Sequence, residues 1–301
     1  MYGRKLAFFV LVLAVLCLPA AALAVTQRVY MAGETEPFGA DERLLTLYVC
    51  PLMGADSMLL TFGEHSMLVD MAKESQAEDV LAMLARAGLD EVEIAFNTHP
   101  HNDHVGSIPL IVEKIGIGTF MTAFPHDYTG SAIAQRKAIR ALNEAGVPIV
   151  DVDDGDTIDF GDVEITVWRQ TSFPGDNATS AMLFIRYGEC TLLLTADVEG
   201  KGLADIAELH EVKADIAKAP HHGLTKLDAS FFEELAPEYM FIPHGSVNTK
   251  EFQKQADEKN VTYQFCTWGP ITIETNGEKW IVEQQIFEDK LDYAQRYFNK
   301  R

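Results

Sequence analysis

Apolar and polar positions alternate in short runs along the chain, and the period switches repeatedly between two and about 3.6. Three short apolar runs at 44–50, 58–62 and 66–70, divided by turn residues, predict antiparallel strands. Ser75-Gln76-Ala77-Glu78 has the spacing of a capping box and opens a helix that Gly88 closes. A strand over 92–98, an apolar helix over 105–115 and a helix over 131–145 complete the first half, the last one stopped by Gly146 and Pro148. Strands restart at 163–168, 181–187 and 191–195, followed by a helix over 202–210 and a strand over 216–218. The pattern then predicts a helix at 231–235, a strand at 239–242, a helix at 251–260, and strands near 261–266, 271–274 and 280–283. The stretch 287–298 has the spacing of a helix packed on the outside. Strand runs with interspersed helices in both halves predict an α/β fold, an αββα sandwich of two mixed sheets with outer helices.

No Pro/Gly/Ser linker or repeat divides the chain between 44 and 285, so that span reads as one domain, with an N-terminal segment over 25–43 and a helical tail over 286–301. The first 24 residues read differently. Arg4 and Lys5 precede an unbroken apolar run over 6–18, and Ala22-Leu23-Ala24 has the A-x-A form of a cleavage site. The run is shorter than the ~20 apolar residues a spanning helix requires, so a signal peptide cut after Ala24 and a secreted or extracytoplasmic protein are expected. No later segment is apolar and long enough to span a membrane, so no membrane partner is expected after cleavage.

Charge changes the picture further. Asp and Glu number 45 against 24 Lys and Arg, giving a net charge of −21, which loss of Arg4 and Lys5 with the leader takes to −23. Phosphate backbones are bound through excess Lys and Arg, so general nucleic-acid binding is disfavoured. Arg136, Lys137 and Arg140 sit together on one predicted helix and read as a solvated face. With 48% hydrophobic and 10% aromatic residues, the chain is not a disordered one. Cys50, Cys190 and Cys266 follow the leader, an odd number that leaves at least one free thiol. The pattern carries no signal for oligomeric state.

Five of the nine histidines fall in two short clusters. His99-Pro100-His101-Asn102-Asp103-His104 follows the strand over 92–98 directly. In extended chain, i and i+2 point the same way, so His99 and His101 can grip one cation, while Asp103 and His104 face a second as the chain turns into a helix. Imidazole with carboxylate suits zinc, with manganese or iron as alternatives. The second cluster is Pro220-His221-His222-Gly223, after the strand over 216–218. A third element, the apolar run Leu192-Leu193-Leu194, ends in Thr195-Ala196-Asp197, whose carboxylate can bridge two cations.

Together these elements resemble the metallo-β-lactamase superfamily, whose mark is H-x-H-x-D-H, here His99 to His104. Within it the chain is similar to the hydrolase domain of ComEC-type competence proteins. Leu52-Met53-Gly54-Ala55-Asp56-Ser57 is similar to that group's V-G-Q-G-D-S turn and Leu68-Val69-Asp70 to its L-I-D. Asn177 and Ser180 match N-x-x-S, Leu193 to Asp197 resembles L-L-T-G-D, Ala219 to Gly223 resembles V-P-H-H-G, and Thr267 to Ile271 resembles T-x-x-G-x-I. The resemblance spans roughly residues 44–283 and implies two divalent ions, zinc foremost and manganese as an alternative. It implies His99, His101, Asp103 and His104 as ligands, Asp197 as the bridge, and one of His221 and His222 as completing the second site; His221 is favoured as ligand and His222, with Asp103, as catalytic on the substrate side. Many superfamily members carry another ligand histidine before the bridging aspartate. Only His126 lies in that interval, too early in the chain, and Asp176 stands where such a ligand is expected. The competence-type group also lacks that histidine. The His-Pro that often follows in that group is absent, and the nearby His244 reads as an ordinary loop histidine.

Two cations held this way lower the pKa of bound water toward ~7, making a metal-bound hydroxide available at neutral pH. Asp70, at the end of a strand, can hold a ligand histidine as a hydrogen-bond acceptor. No Gly-x-Ser-x-Gly is present, and the cysteines are remote from the histidine clusters. A metal-dependent hydrolase is therefore expected, acting on a phosphodiester or related small ester, either a small molecule or a locally docked substrate. The alternatives are a β-lactamase or lactonase acting on cyclic amides or esters, and a secreted binding protein without activity.

Overall fold

A computed structural model describes residues 25–30, 37–124, 132–172 and 174–298. The expected leader and His126 lie outside the described residues. Two mixed sheets face each other. The first is built from β1 (Val25–Tyr30), β2 (Leu45–Val49), β3 (Met58–Phe62), β4 (His65–Val69), β5 (Glu91–Asn97), β6 (Gly116–Thr122) and β7 (Ile149–Asp151). The second contains β8 (Thr157–Ile158), β9 (Glu164–Trp168), β10 (Met182–Tyr187), β11 (Cys190–Leu194), β12 (Ile216–Lys218), β13 (Tyr239–Ile242) and β14 (Thr262–Phe265). Two C-terminal strands, β15 (Ile271–Thr275) and β16 (Trp280–Ile286), return to the first sheet, giving the orders β1-β16-β15-β2-β3-β4-β5-β6-β7 and β14-β13-β12-β11-β10-β9-β8.

The apolar alternation explains this layering. In β5, Ile94 and Phe96 face the second sheet while Ala95 turns to the helices; in β11, Leu192 and Leu194 face inward and Leu193 outward. Both faces of each sheet are therefore apolar, and each outer face needs a helical cover. Helices α1 (Ala77–Arg86), α3 (Ile108–Ile111) and α4 (Ile133–Ala145) cover the first sheet, with Val80, Met83 and Leu84 of α1 buried at i, i+3 and i+4. Between β5 and α3 lies the short α2 (Asn102–Val105). Helices α5 (Lys201–Leu209), α6 (Ala229–Leu235) and α7 (Lys250–Glu258) cover the second sheet, and Ala294 of α8 (Leu291–Phe298) is buried in the same cluster. This is the expected αββα sandwich of two mixed sheets.

Three local expectations differ. The helix expected over 105–115 is two short turns, because Gly106 ends α2 and Pro109 starts α3. The strand β6, whose Gly-Ile-Gly-Thr opening hides its alternation, lies parallel to β5. Strand β1, in the segment given no structure from sequence, pairs antiparallel with β16. Cys50, Cys190 and Cys266 are all free and buried. No helix among the described residues is long and apolar enough to cross a membrane.

Candidate metal centre

Strands β4 and β5 run parallel in one sheet, and β11, β12 and β13 run parallel in the other. Their C-terminal ends meet at one edge of the sandwich, the end where open α/β sheets place their ligands. Asp70 follows β4, His99 to His104 follow β5, Asp197 follows β11, His221 and His222 follow β12, and His244 follows β13. The edge of the first sheet is tied to the second by the Ala181 amide, which donates to the Thr98 carbonyl at 3.0 Å.

The backbone here is forced. Asp70, Ala72, Ala196, His221 and His222 take left-handed φ values between 47° and 54°, five of the seven non-glycine residues that do so among those described. Such conformations cost about 1–3 kcal/mol each and persist where the surrounding structure over-determines them. Gly223, with φ +75°, ends the His-His turn because a Cβ there would come within 3.0 Å of the Ile242 side chain.

Three imidazoles close on one oxygen, with a fourth, His221, at its outer side. Asp197 Oδ2 lies 3.2 Å from His104 Nε2, 3.3 Å from His222 Nε2, 3.8 Å from His99 Nε2 and 3.9 Å from His221 Nε2. Asp103 Oδ2 lies 3.5 Å from His222 Nε2. His101 Nε2, on the outer side, lies 3.7 Å from Asp176 Oδ2. The imidazoles of His99, His104 and His222 are buried, yet their Nε2 atoms make no hydrogen bond. Their other nitrogens are engaged. His104 Nδ1 donates to Asp70 Oδ2 at 2.7 Å, His222 Nδ1 donates to Asp56 Oδ1 at 2.9 Å, and His99 Nδ1 lies 3.1 Å from Thr98 Oγ1. A carboxylate on Nδ1–H fixes the tautomer that leaves Nε2 with a lone pair, the arrangement of metal-ligating histidines. Orphaned buried nitrogens of this kind, beside carboxylates, fit divalent cations by donor type and by spacing. Ligand-type atoms of Asp56, His104, Asp197 and His222 all lie within 4.8 Å of one another, a buried group close enough to surround an ion.

Two residues here were not assigned a role from sequence. Asp56 is buried and uses Oδ1 for His222 and Oδ2 for an ion pair at 2.7 Å with Lys218 Nζ. Lys218 itself is fully buried, donates to the carbonyls of Ala196 and Ala219, and stands 3.6 Å from Asp197 Oδ1. Both oxygens of Asp56 are thereby taken, which makes it the orienting partner of His222 rather than a donor facing the cluster. Lys218 likewise takes one side of Asp197, leaving Oδ2 to the imidazoles.

The electrostatics follow from this packing. Burial alone would raise the Asp103 carboxyl, but the facing His222 imidazole and the nearby His104 hold it down to about 2. Burial would lower the His104 imidazole, but Asp197 and Asp70 lift it to about 10, so a cation taking Nε2 would displace a proton from it. Asp197 is driven well below the carboxylate range, against its own burial, by His104 and His222. Both acids are thus ionised at neutral pH, as ligands must be.

Of the residues singled out from sequence, His99, His104, Asp197, Asp103 and His222 converge on this cluster, and Asp70 sits behind His104. His221 is turned outward, with its Nδ1 on Glu199 Oε2 at 2.7 Å and its Nε2 at 3.4 Å from Asn177 Nδ2. It was favoured over His222 as the ligand, yet His222 lies deeper, its side chain 2% exposed against 24% for His221. His244 is largely buried, and its Nδ1 accepts from the Gly245 amide at 2.7 Å.

The family model of the metallo-β-lactamase superfamily matches residues 50–244, and the chain belongs to that superfamily. Among solved structures it is similar to the metallo-β-lactamase fold protein YhfI from Bacillus subtilis, at 15% identity and TM-score 0.51, over 74% of this chain and 96% of that one. A subclass B3 metallo-β-lactamase from a soil metagenome library, MEM-A1, aligns at 18% identity and TM-score 0.43, over 59% of this chain and 78% of that one. No curated protein matches in sequence. At 15% identity the likeness to YhfI shows the fold alone; membership of this metallo-hydrolase superfamily comes from the family model, and the buried Asp/His cluster is its candidate metal site.

Proposed function

We propose that the protein is an extracytoplasmic metal-dependent hydrolase that cleaves a phosphodiester or related small ester at a two-cation centre. The observation that carries this reading is the convergence of three buried imidazole Nε2 atoms, none hydrogen bonded, on Asp197 Oδ2. Divalent cations at such a centre lower the pKa of a coordinated water toward ~7 and polarise the oxygen of the bond to be broken. The chain's residues divide the remaining tasks. Asp103, His104 and His222 would hold one cation and His99 and His101 another, with Asp197 within reach of both. Asp70 and Asp56 fix the tautomers of His104 and His222, so each presents Nε2 without reorganisation. His221, braced by Glu199, stands on the substrate side, the reverse of the order favoured from sequence.

The ester class rests on the resemblance to the ComEC-type hydrolase domain, and the extracytoplasmic location on Arg4, Lys5, the apolar run and Ala22-Leu23-Ala24. Zinc or manganese suits the mixed imidazole and carboxylate donors. A net charge of −21 favours a small or locally docked substrate over long nucleic acid. The test is a panel of bis-p-nitrophenyl phosphate, nitrocefin and a lactone with zinc- or manganese-loaded protein. Turnover of the phosphodiester is expected. Turnover of nitrocefin alone would replace this reading with that of a β-lactamase.

A further inference from the structure

We propose that Asp176 is the fourth protein ligand of the first cation site, completing it with His99, His101 and the shared Asp197. This rests on the two-cation reading above and concerns how the outer site is closed. His99 Nε2 is buried without a hydrogen bond and lies 3.8 Å from Asp197 Oδ2. The His101 ring stands against it, centroids 4.7 Å apart, and His101 Nε2 lies 3.7 Å from Asp176 Oδ2. Two donors bound to one cation at about 2.1 Å each stand roughly 3–4 Å apart, so the Asp197–His99 and His101–Asp176 separations both suit a common ion.

The loop that delivers Asp176 is built to do so. The Ser180 hydroxyl donates to the carbonyls of Asp176 at 3.1 Å and Asn177 at 2.8 Å, and the Thr179 amide donates to the Gly175 carbonyl at 2.9 Å. Arg169 Nε donates to the Thr179 carbonyl at 2.9 Å, fixing the loop to the end of β9. The Ala181 amide then joins it to Thr98, the residue before His99. Asp176 thus reaches His101 from a segment pinned to the same strand end that carries the histidines. The side chain of Asp176 is 27% exposed and that of His101 42%, so both can close by small rotations onto an ion arriving from solvent.

A carboxylate here has a chemical consequence. Two imidazoles and two carboxylates make a harder donor set than three imidazoles and one carboxylate, so the outer site accepts manganese or iron(II) readily and holds zinc less tightly. The inner site, with His104, His222, Asp103 and Asp197, does not share Asp176 and serves as the internal control.

The experiment strips the full chain with chelator and titrates it with Mn²⁺ followed by electron paramagnetic resonance, and with Zn²⁺ in competition with a chromophoric chelator. The wild type, Asp176→Ala and Asp176→His are compared, and circular dichroism checks that each variant folds. Two equivalents are expected for the wild type. Asp176→Ala is expected to keep one and to bind the other more than about tenfold more weakly, since even outer partners of a ligand are worth roughly 10–100-fold. Asp176→His is expected to regain the second equivalent with the preference moved from manganese toward zinc. Two equivalents of unchanged affinity in Asp176→Ala would overturn the assignment of Asp176 alone. A wild type that binds no metal would instead overturn the hydrolase reading on which it rests.

Discussion

Lys218→Met is expected to destabilise the protein by about 3–5 kcal/mol, the cost of leaving a buried charge without its partner. Lys218 is fully buried, and its ammonium lies 2.7 Å from Asp56 Oδ2. Removing it strands the Asp56 carboxylate in the interior, near Asp197 and with only the His222 and His104 imidazoles to offset it. Because two buried charges can be removed together at little cost, Lys218→Met combined with Asp56→Asn is expected to recover most of the loss. Urea unfolding of all variants in the presence of chelator, so that metal affinity does not enter, measures both numbers. A Lys218→Met variant as stable as the wild type would show that this ion pair does not hold the centre together.

The second large effect separates the two adjacent histidines. His222→Ala is expected to remove one metal equivalent and to lower turnover by more than roughly 10²-fold, beyond what loss of an outer partner costs. His221→Ala is expected to retain both equivalents and to lose turnover only, since its imidazole is braced by Glu199 at the exposed side of the cluster. Metal analysis of the two purified variants checks this. A variant set in which His221→Ala loses the metal and His222→Ala keeps it would reverse the assignment.

The readable parts of the sequence were those whose meaning is local. His99, His101, Asp103 and His104 stand within six residues at the end of one strand, so strand geometry alone predicts that they gather. The sandwich was equally legible, because doubly buried strands such as β5 and β11 carry apolar runs and the helices between them carry a 3.6 period. Lys218 was not legible. In Ile216-Ala217-Lys218-Ala219-Pro220 it looks like one polar position in a short strand, and the partner that makes it central, Asp56, arrives from the far part of the chain and the other sheet. Which of His221 and His222 lies deeper was hidden for a different reason. Both adopt left-handed φ values, at 47° and 54°, so the alternation that assigns faces in extended chain does not apply to them. Strand β6 was missed because its opening glycines offer no side chains to alternate, although its pairing with β5 needs only the backbone.

Asp176 stands between these cases. Its position was visible as the place where a ligand was wanted, but a single aspartate in a Gly-Asp-Asn turn has many uses. Only the placement of its carboxylate beside His101 connects it to the centre.

The most direct measurement is the metal content of the purified chain after loading with zinc or manganese, taken together with hydrolysis of bis-p-nitrophenyl phosphate before and after chelation. The account predicts about two equivalents per chain, loss of hydrolysis with the metal and its return on reloading. A chain that binds no metal after loading, or hydrolysis that chelation leaves untouched, would contradict it.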